Sequence, residues 1–345
     1  MAKKQLDDIF EIKVGRGRTS KMRPDISSLG RLSSIEKAKS LGKTEVLLKI
    51  GGANISSQHH LQQAADYIAR NGSLDVKNEQ GATFSKDEYR EEINRWVDEA
   101  PFVSDNAKSE SIARRIIISM PEGTDTKKFE EATTKWAESV LKNHDYLMAF
   151  HNHESDERSH QPHVHILLRN VGKDGKRFHL NNAERNAVRE HLAKCFRDVG
   201  IEVNATSRDV RGKTVRSLKD GEYRAVRRFK DDKDRARAHA ISRKKKKTGN
   251  PDLPKTFKQR VKDAQSSHPI PDHPAITKLK KRREETVASF KSAAESLDKG
   301  SNQDRELAKN IRKHIDNFPP VKSWTQSMQD KVLSKQREKK SDLEK

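Results

Sequence analysis

Five of the chain's 14 histidines fall within 15 residues, in the run Phe150-His-Asn-His-Glu-Ser-Asp-Glu-Arg-Ser-His-Gln-Pro-His-Val-His-Ile-Leu-Leu-Arg. In an extended strand side chains alternate between faces, so His163 and His165 point one way and Val164 and Ile166 the other. His151 shares the parity of Leu147 and Ala149 on the preceding apolar run, and a hairpin-like pairing of the two runs brings it beside that pair. Three neutral imidazoles on one rigid sheet face make a divalent-metal site with positions left open, as catalysis at a metal requires. Glu154 or Asp156 could bind the same ion through oxygen or orient an imidazole by a hydrogen bond. His153 and His160 also fit a polar loop in which histidines are simply solvated.

A metal that polarises a phosphodiester still needs a nucleophile, either water or a side chain. Tyr67 is the candidate. The spacing of Leu61, Ala64, Ala65 and Ile68 predicts a helix over 56–70, and Tyr67 then lies on its shoulder, roughly 110° from the centre of the apolar face. Ordinary boundary packing would place a tyrosine there too. Arg70 sits on the polar side one turn on, within reach of a phosphate. Tyr89 and Tyr146 fit apolar faces, and Tyr223 belongs to a basic segment.

These residues need a scaffold, and the surrounding pattern supplies one. Thr44–Ile50 reads as a strand running into Gly51-Gly52, and Ser56 can cap the helix that follows. A second helix around Ser85–Glu99 carries Tyr89, Ile93 and Trp96 on one face. Arg114–Met120, with Ile116-Ile-Ile-Ser, is a buried strand stopped at Pro121, and Thr124 or Asp125 caps a helix to about Leu141. Tyr146–His151 and His163–Arg169 are two further strands, and Ala183–Val199 is a helix closed by Gly200. Two adjacent strands joined by a polar loop predict an α+β fold, a largely antiparallel central sheet with packed helices.

Composition bounds the rest. At 36% charged and 32% hydrophobic residues over 345 positions, the chain holds more polar sequence than one core can use. The expected organisation is a flexible basic arm over 1–43, a domain over 44–215, and a basic, helical or partly disordered region over 216–345. Residues 207–247 carry a net +11 and 248–345 a net +8, against +2 for the first 206. Such a distribution fits contact with a polyanion, although a solubilising tail has the same composition. Stretches 277–299 and 303–317 have helical composition with little apolar surface and read as helices that fold against a partner. No apolar run is long enough to span a bilayer and the start lacks a signal-peptide core, so no membrane insertion and a cytoplasmic site of synthesis are expected. The single cysteine, Cys195, can form neither an internal disulfide nor a cysteine zinc site, and its amphipathic surroundings make it a buried thiol.

Three stretches resemble conjugative relaxases of the HUH endonuclease superfamily, in the branch that includes the T-DNA border endonuclease of agrobacteria and many plasmid mobilisation proteins. Asp66-Tyr-Ile-Ala-Arg-Asn-Gly resembles the nucleophile motif, Ile116-Ile-Ile-Ser-Met-Pro-Glu-Gly-Thr-Asp the central strand and turn, and Met148-Ala-Phe-His through Pro162-His-Val-His-Ile-Leu the metal motif. Ala205-Thr-Ser-Arg-Asp-Val-Arg-Gly is similar to the end of that domain, which makes Arg208 and Arg211, with Arg70, candidate DNA contacts. By this resemblance Tyr67 is the attacking tyrosine, and His151, His163 and His165 hold the metal, Mg²⁺ or Mn²⁺ in the first instance with Zn²⁺ also acceptable to imidazoles. The branch pattern is His-x-Asp at the first ligand, whereas His153 stands at that third position here. The group that orients a ring or accepts the tyrosine proton is left open among His153, Glu154, Asp156 and Asp66. The resemblance implies a site- and strand-specific nickase of single-stranded and supercoiled DNA at an origin of transfer, acting through a 5′-phosphotyrosyl intermediate. It also implies accessory relaxosome proteins, a type IV secretion coupling protein, and export attached to the strand. A rolling-circle replication initiator would use the same chemistry, and a basic DNA-binding protein without catalysis would share the charge.

Overall fold

The computed structural model describes residues 2–10, 33–51, 55–85, 87–99, 111–152 and 160–213, and with short interruptions 259–334. They fall into two compact units, Met1–Ser207 with Ala293–Ile311, and Arg208–Ser292 with Arg312–Lys345.

The first unit is built on one antiparallel six-stranded sheet. Its strands are β1 (Leu47–Ile50), β2 (Val76–Asn78), β3 (Thr83–Phe84), β4 (Ala113–Ser119), β5 (Tyr146–His151) and β6 (His163–Arg169), in spatial order β1-β4-β6-β5-β2-β3. The two histidine-bearing strands occupy the residues their sequence pattern predicts. Strand alternation sorts the side chains. Ile116, Ile118, Tyr146, Met148, Val164, Ile166 and Leu168 face one way. There they meet α5 (Thr126–Val140), through Phe129, Ala132 and Trp136, and α6 (Asn182–Asp198), through Val188, Leu192 and Phe196. The Trp136 indole donates to the Val188 carbonyl at 2.9 Å, so the largest buried ring of this layer also has its polar edge satisfied.

Leu147, Ala149 and Leu167 face the other way, onto α3 (Gln58–Ile68) and α4 (Tyr89–Asp98). From these helices come Leu61, Ala65, Ile68, Tyr89, Ile93 and Trp96, all buried. Removing Leu61, Ile68 and Ile93 from water stabilises by about 1.5–3 kcal/mol each, enough to fix α3 against β5 and β6. Ser57, one residue after the predicted Ser56, caps α3 by accepting from the His60 amide. α3 also ends at Ile68, two residues short of the predicted Arg70, because Arg70 and Asn71 take positive φ values of 51° and 56° and Gly72 one of 83°. This left-handed run turns the chain sharply, with the Asn71 amide donating to the Asp66 carbonyl at 2.7 Å.

Other expectations are corrected. Within the predicted arm, residues 2–10 and 34–39 form α1 (Ala2–Phe10) and α2 (Ser34–Lys39). Ser33 and Glu36 cap α2 reciprocally, Leu6, Phe10 and Ala38 are buried, and Lys37 pairs with Glu190 of α6 at 3.0 Å. Helices this short draw their stability from tertiary contact and leave no long period in the sequence. The β2–β3 hairpin was also unpredicted. Its turn is held by Asn78, whose side-chain oxygen accepts from the amides of Gln80 and Ala82 at 3.0 and 2.9 Å. Cys195 is a buried free thiol, and burial pushes it up to about 11, as a packing residue requires.

The C-terminal stretches are helices α7 (Ala275–Leu297) and α8 (Asn302–Asp316). They bury more than the sequence suggests, including Phe290, Ala294, Ile311 and Ile315. In the second unit the Arg283 guanidinium lies 4.6 Å from the Phe318 ring centre and donates to the carbonyls of Pro319 and Gly212. Arg282 pairs with Asp209 at 2.7 Å. Among the described residues no helix is long and apolar enough to cross a membrane.

Candidate metal and tyrosine site

The register of β5 and β6 sets His151 directly opposite His163 and Ala149 opposite His165. Directly paired residues share a face, so the three imidazoles stand together on the α3 side of the sheet. The smallness of Ala149 leaves room for the His165 ring. Ring centres lie 4.9 Å (His151–His163), 4.8 Å (His151–His165) and 5.0 Å (His163–His165) apart. One ligand nitrogen from each falls within 4.8 Å of the others.

Hydrogen bonds to carbonyls, which can only accept, set the tautomers of two rings. His151 Nε2 donates to the Ile68 carbonyl at 2.7 Å, leaving the lone pair on Nδ1. His163 Nδ1 donates to the Gln161 carbonyl at 3.0 Å, leaving it on Nε2. His165 Nδ1 is buried with no hydrogen-bond partner. Burial first, then the neighbouring His151 and His163, push His165 down to about 3, so its ring is neutral and one of its two nitrogens keeps a lone pair at neutral pH. A buried, neutral, unsatisfied imidazole beside two pre-oriented ones fits a divalent cation.

Tyr67, on the last turn of α3, is 50% exposed. Its ring meets His165 edge-on, with centres 5.4 Å apart. The left-handed turn after α3 folds Arg70 back, and its guanidinium lies 5.8 Å from the Tyr67 ring centre. A half-exposed phenol, an arginine and a three-imidazole cluster therefore lie side by side.

The other predicted residues divide. His153, Glu154 and Asp156 lie outside the described residues. His160 is exposed. Arg208, exposed, and Arg211, half-buried, belong to the second unit. Asp66 Oδ1 accepts from the Tyr89 hydroxyl at 2.6 Å and from Arg90 Nε and Nη2 at 3.2 Å each. Lys49 and Arg115 were missed. The β1–β4–β6 register carries the histidine face outward through Ile117 to Lys49, and Arg115 lies on the same face. Both are exposed, and the described residues give neither an ion pair. Only the strand pairing brings them beside the histidines, so sequence spacing held no signal for them.

Residues 67–201 match the model of a relaxase family described as MobA/VirD2-like, nuclease domain. The chain is 26% identical over 211 residues to the T-DNA border endonuclease VirD2 of Rhizobium radiobacter, an alignment covering 55% of this chain and 48% of that protein. It is 25% identical over 206 residues to the T-DNA border endonuclease VirD2 of Agrobacterium fabrum (strain C58), covering 54% of this chain and 45% of that protein. The chain thus spans about half the length of these curated relatives. A solved structure described as "Molecular Basis of Vancomycin Resistance Transfer in Staphylococcus aureus" is 16% identical with a TM-score of 0.33, and the match covers 48% of this chain and 100% of that one. The resemblance read from the sequence is borne out over the matched nuclease region.

Proposed function

From the premise that residues 67–201 carry a nuclease domain of the MobA/VirD2-like relaxase type, we propose that this chain nicks and rejoins one strand of DNA at an origin of transfer, with Tyr67 as nucleophile. The observation that carries this reading is the Tyr67 ring set against His165 of the imidazole cluster.

The Tyr67 oxygen attacks phosphorus, the bond from phosphorus to the 3′-oxygen breaks, and the strand is left with a 3′-hydroxyl and a 5′-phosphotyrosyl link. The phenolic proton is lost to a base and the leaving oxygen gains one, so the exchange is neutral in protons. One diester replaces another, and attack by a 3′-hydroxyl reverses the step. A divalent cation held by His151, His163 and His165 would supply positive charge to a phosphate oxygen as negative charge grows on it. Arg70, beside the phenol, balances phosphate charge on the other side. Lys49 and Arg115 continue the cationic face and suit the phosphates of the neighbouring nucleotides. In this proposal residues 44–215 are the nuclease domain, and 216–345, with Arg208 and Arg211 at its border, add sequence-independent affinity and a signal for a secretion coupling protein.

The test is an adduct assay with purified protein, Mg²⁺ or Mn²⁺, and single-stranded DNA spanning the origin region of its own replicon. After denaturation in detergent, a protein–DNA species that disappears with chelator supports the reading. Its absence across origin fragments and both metals would leave a DNA-binding protein without this chemistry.

A further inference from the structure

Asp66 adjoins Tyr67 in sequence and was one of four candidates to accept its proton. Its contacts point elsewhere. Oδ1 takes the hydroxyl of Tyr89, a side chain with no exposed surface, at 2.6 Å, and the guanidinium of Arg90 through two nitrogens at 3.2 Å. Arg90 is itself braced by Asp87 at 3.0 Å. Tyr89 and Arg90 are the first two residues of α4, so the carboxylate ties the last turn of α3 to the start of the next helix. On the other side of Tyr67, the Ile68 carbonyl receives the His151 imidazole at 2.7 Å. The Asp66 carbonyl in turn accepts the Asn71 amide that closes the left-handed turn carrying Arg70. The half-exposed tyrosine, which gains little from packing, is therefore held by bonds made by the residues on each side of it.

We propose that Asp66 is a positioning residue for Tyr67, acting through its clamp to Tyr89 and Arg90, and not an acid or base in the reaction. A buried hydroxyl bonded to a carboxylate is among the stronger neutral-to-charged contacts, and displacing a nucleophile slightly lowers the rate without weakening binding. This inference rests on Tyr67 being the nucleophile proposed above.

Two variants test it. Tyr89→Phe keeps the buried ring and removes one donor; Asp66→Asn keeps an acceptor for Tyr89 and removes the charge facing Arg90. Tyr89→Phe is expected to slow adduct formation at saturating DNA about tenfold, with DNA affinity within about twofold. The pH–rate profile of Asp66→Asn is expected to keep its shape. The double variant is expected to lose less than the product of the single losses, because both loosen the same link between α3 and α4 at Asp66. A full rate in Tyr89→Phe, an acid limb lost in Asp66→Asn, or independent losses would overturn the clamp. Hydrogen exchange separates failure of the clamp from failure of the reaction. If the clamp holds the turn, the Asn71 and Leu74 amides, bonded to the Asp66 and Ala69 carbonyls, exchange about tenfold faster in Tyr89→Phe. Unchanged exchange overturns the clamp whether or not the wild type forms an adduct.

Discussion

His151 Nε2 donates to the main-chain carbonyl of Ile68 at 2.7 Å, and Ile68 directly follows Tyr67. One hydrogen bond thus joins the strand that bears the first imidazole to the helix that bears the phenol, and ties the imidazole cluster to the turn that carries Tyr67. The bond also directs the His151 lone pair to Nδ1, so the contact that fixes distance fixes tautomer too.

Removal of one imidazole should show in metal binding before any chemistry is measured. His163→Ala is expected to weaken Mn²⁺ binding at least about 100-fold, more than is usual for a residue that only orients a ligand. Titration calorimetry checks this. Affinity within threefold of wild type would remove His163 from the ligand set.

Acid should destabilise the metal-free protein through its buried neutral histidines. His165 is pushed down to about 3, mainly by burial, and buried His144 is also lowered by burial, with Nδ1 bonded to the Arg169 carbonyl. Each has a folded pKa below its unfolded value of about 6.5. Between the two values the unfolded chain binds more protons, so stability rises with pH and is lost as pH falls below about 6.5. With chelator present, His165→Gln is expected to remove about 2 kcal/mol of the difference in unfolding free energy between pH 7 and pH 4.5. Urea titrations at the two pH values measure it, and an undiminished difference would contradict the assignment.

Lys49 and Arg115 should contribute counterion release. For the metal-free protein and single-stranded DNA, each substitution to Ala is expected to reduce the slope of log affinity against log salt by about 0.7, the value for one phosphate contact. An unchanged slope in both variants would place the strand off this face.

The histidine and tyrosine positions were legible because their spacing coincides with the periods of their elements. His163 and His165 sit two apart on a strand, and Tyr67 lies beside a four-residue apolar face. What escaped was set by contacts distant in sequence. Lys49 joins the histidine face only through the pairing Lys49↔Ile117↔His165, and α2 is fastened by Lys37 to Glu190, some 150 residues away by the numbering of the chain. Asp66 was legible as a carboxylate near the tyrosine, but its role depends on Tyr89 and Arg90, which helical spacing alone could not set against it. The left-handed turn at Arg70 was obscured because Arg70 is not glycine, and the stop was read only from Asn71-Gly72.

The proposed function stands on Tyr67 taking the DNA. The most direct measurement is digestion of the wild-type adduct with protease and nuclease, followed by mass spectrometry to find the residue that keeps a nucleotide. A 5′-phosphonucleotide is expected on the peptide containing Tyr67, and no adduct from Tyr67→Phe in a protein that unfolds within about 0.5 kcal/mol of wild type, as expected for a half-exposed side chain. A nucleotide on any other residue, or an adduct that persists in Tyr67→Phe, would contradict it.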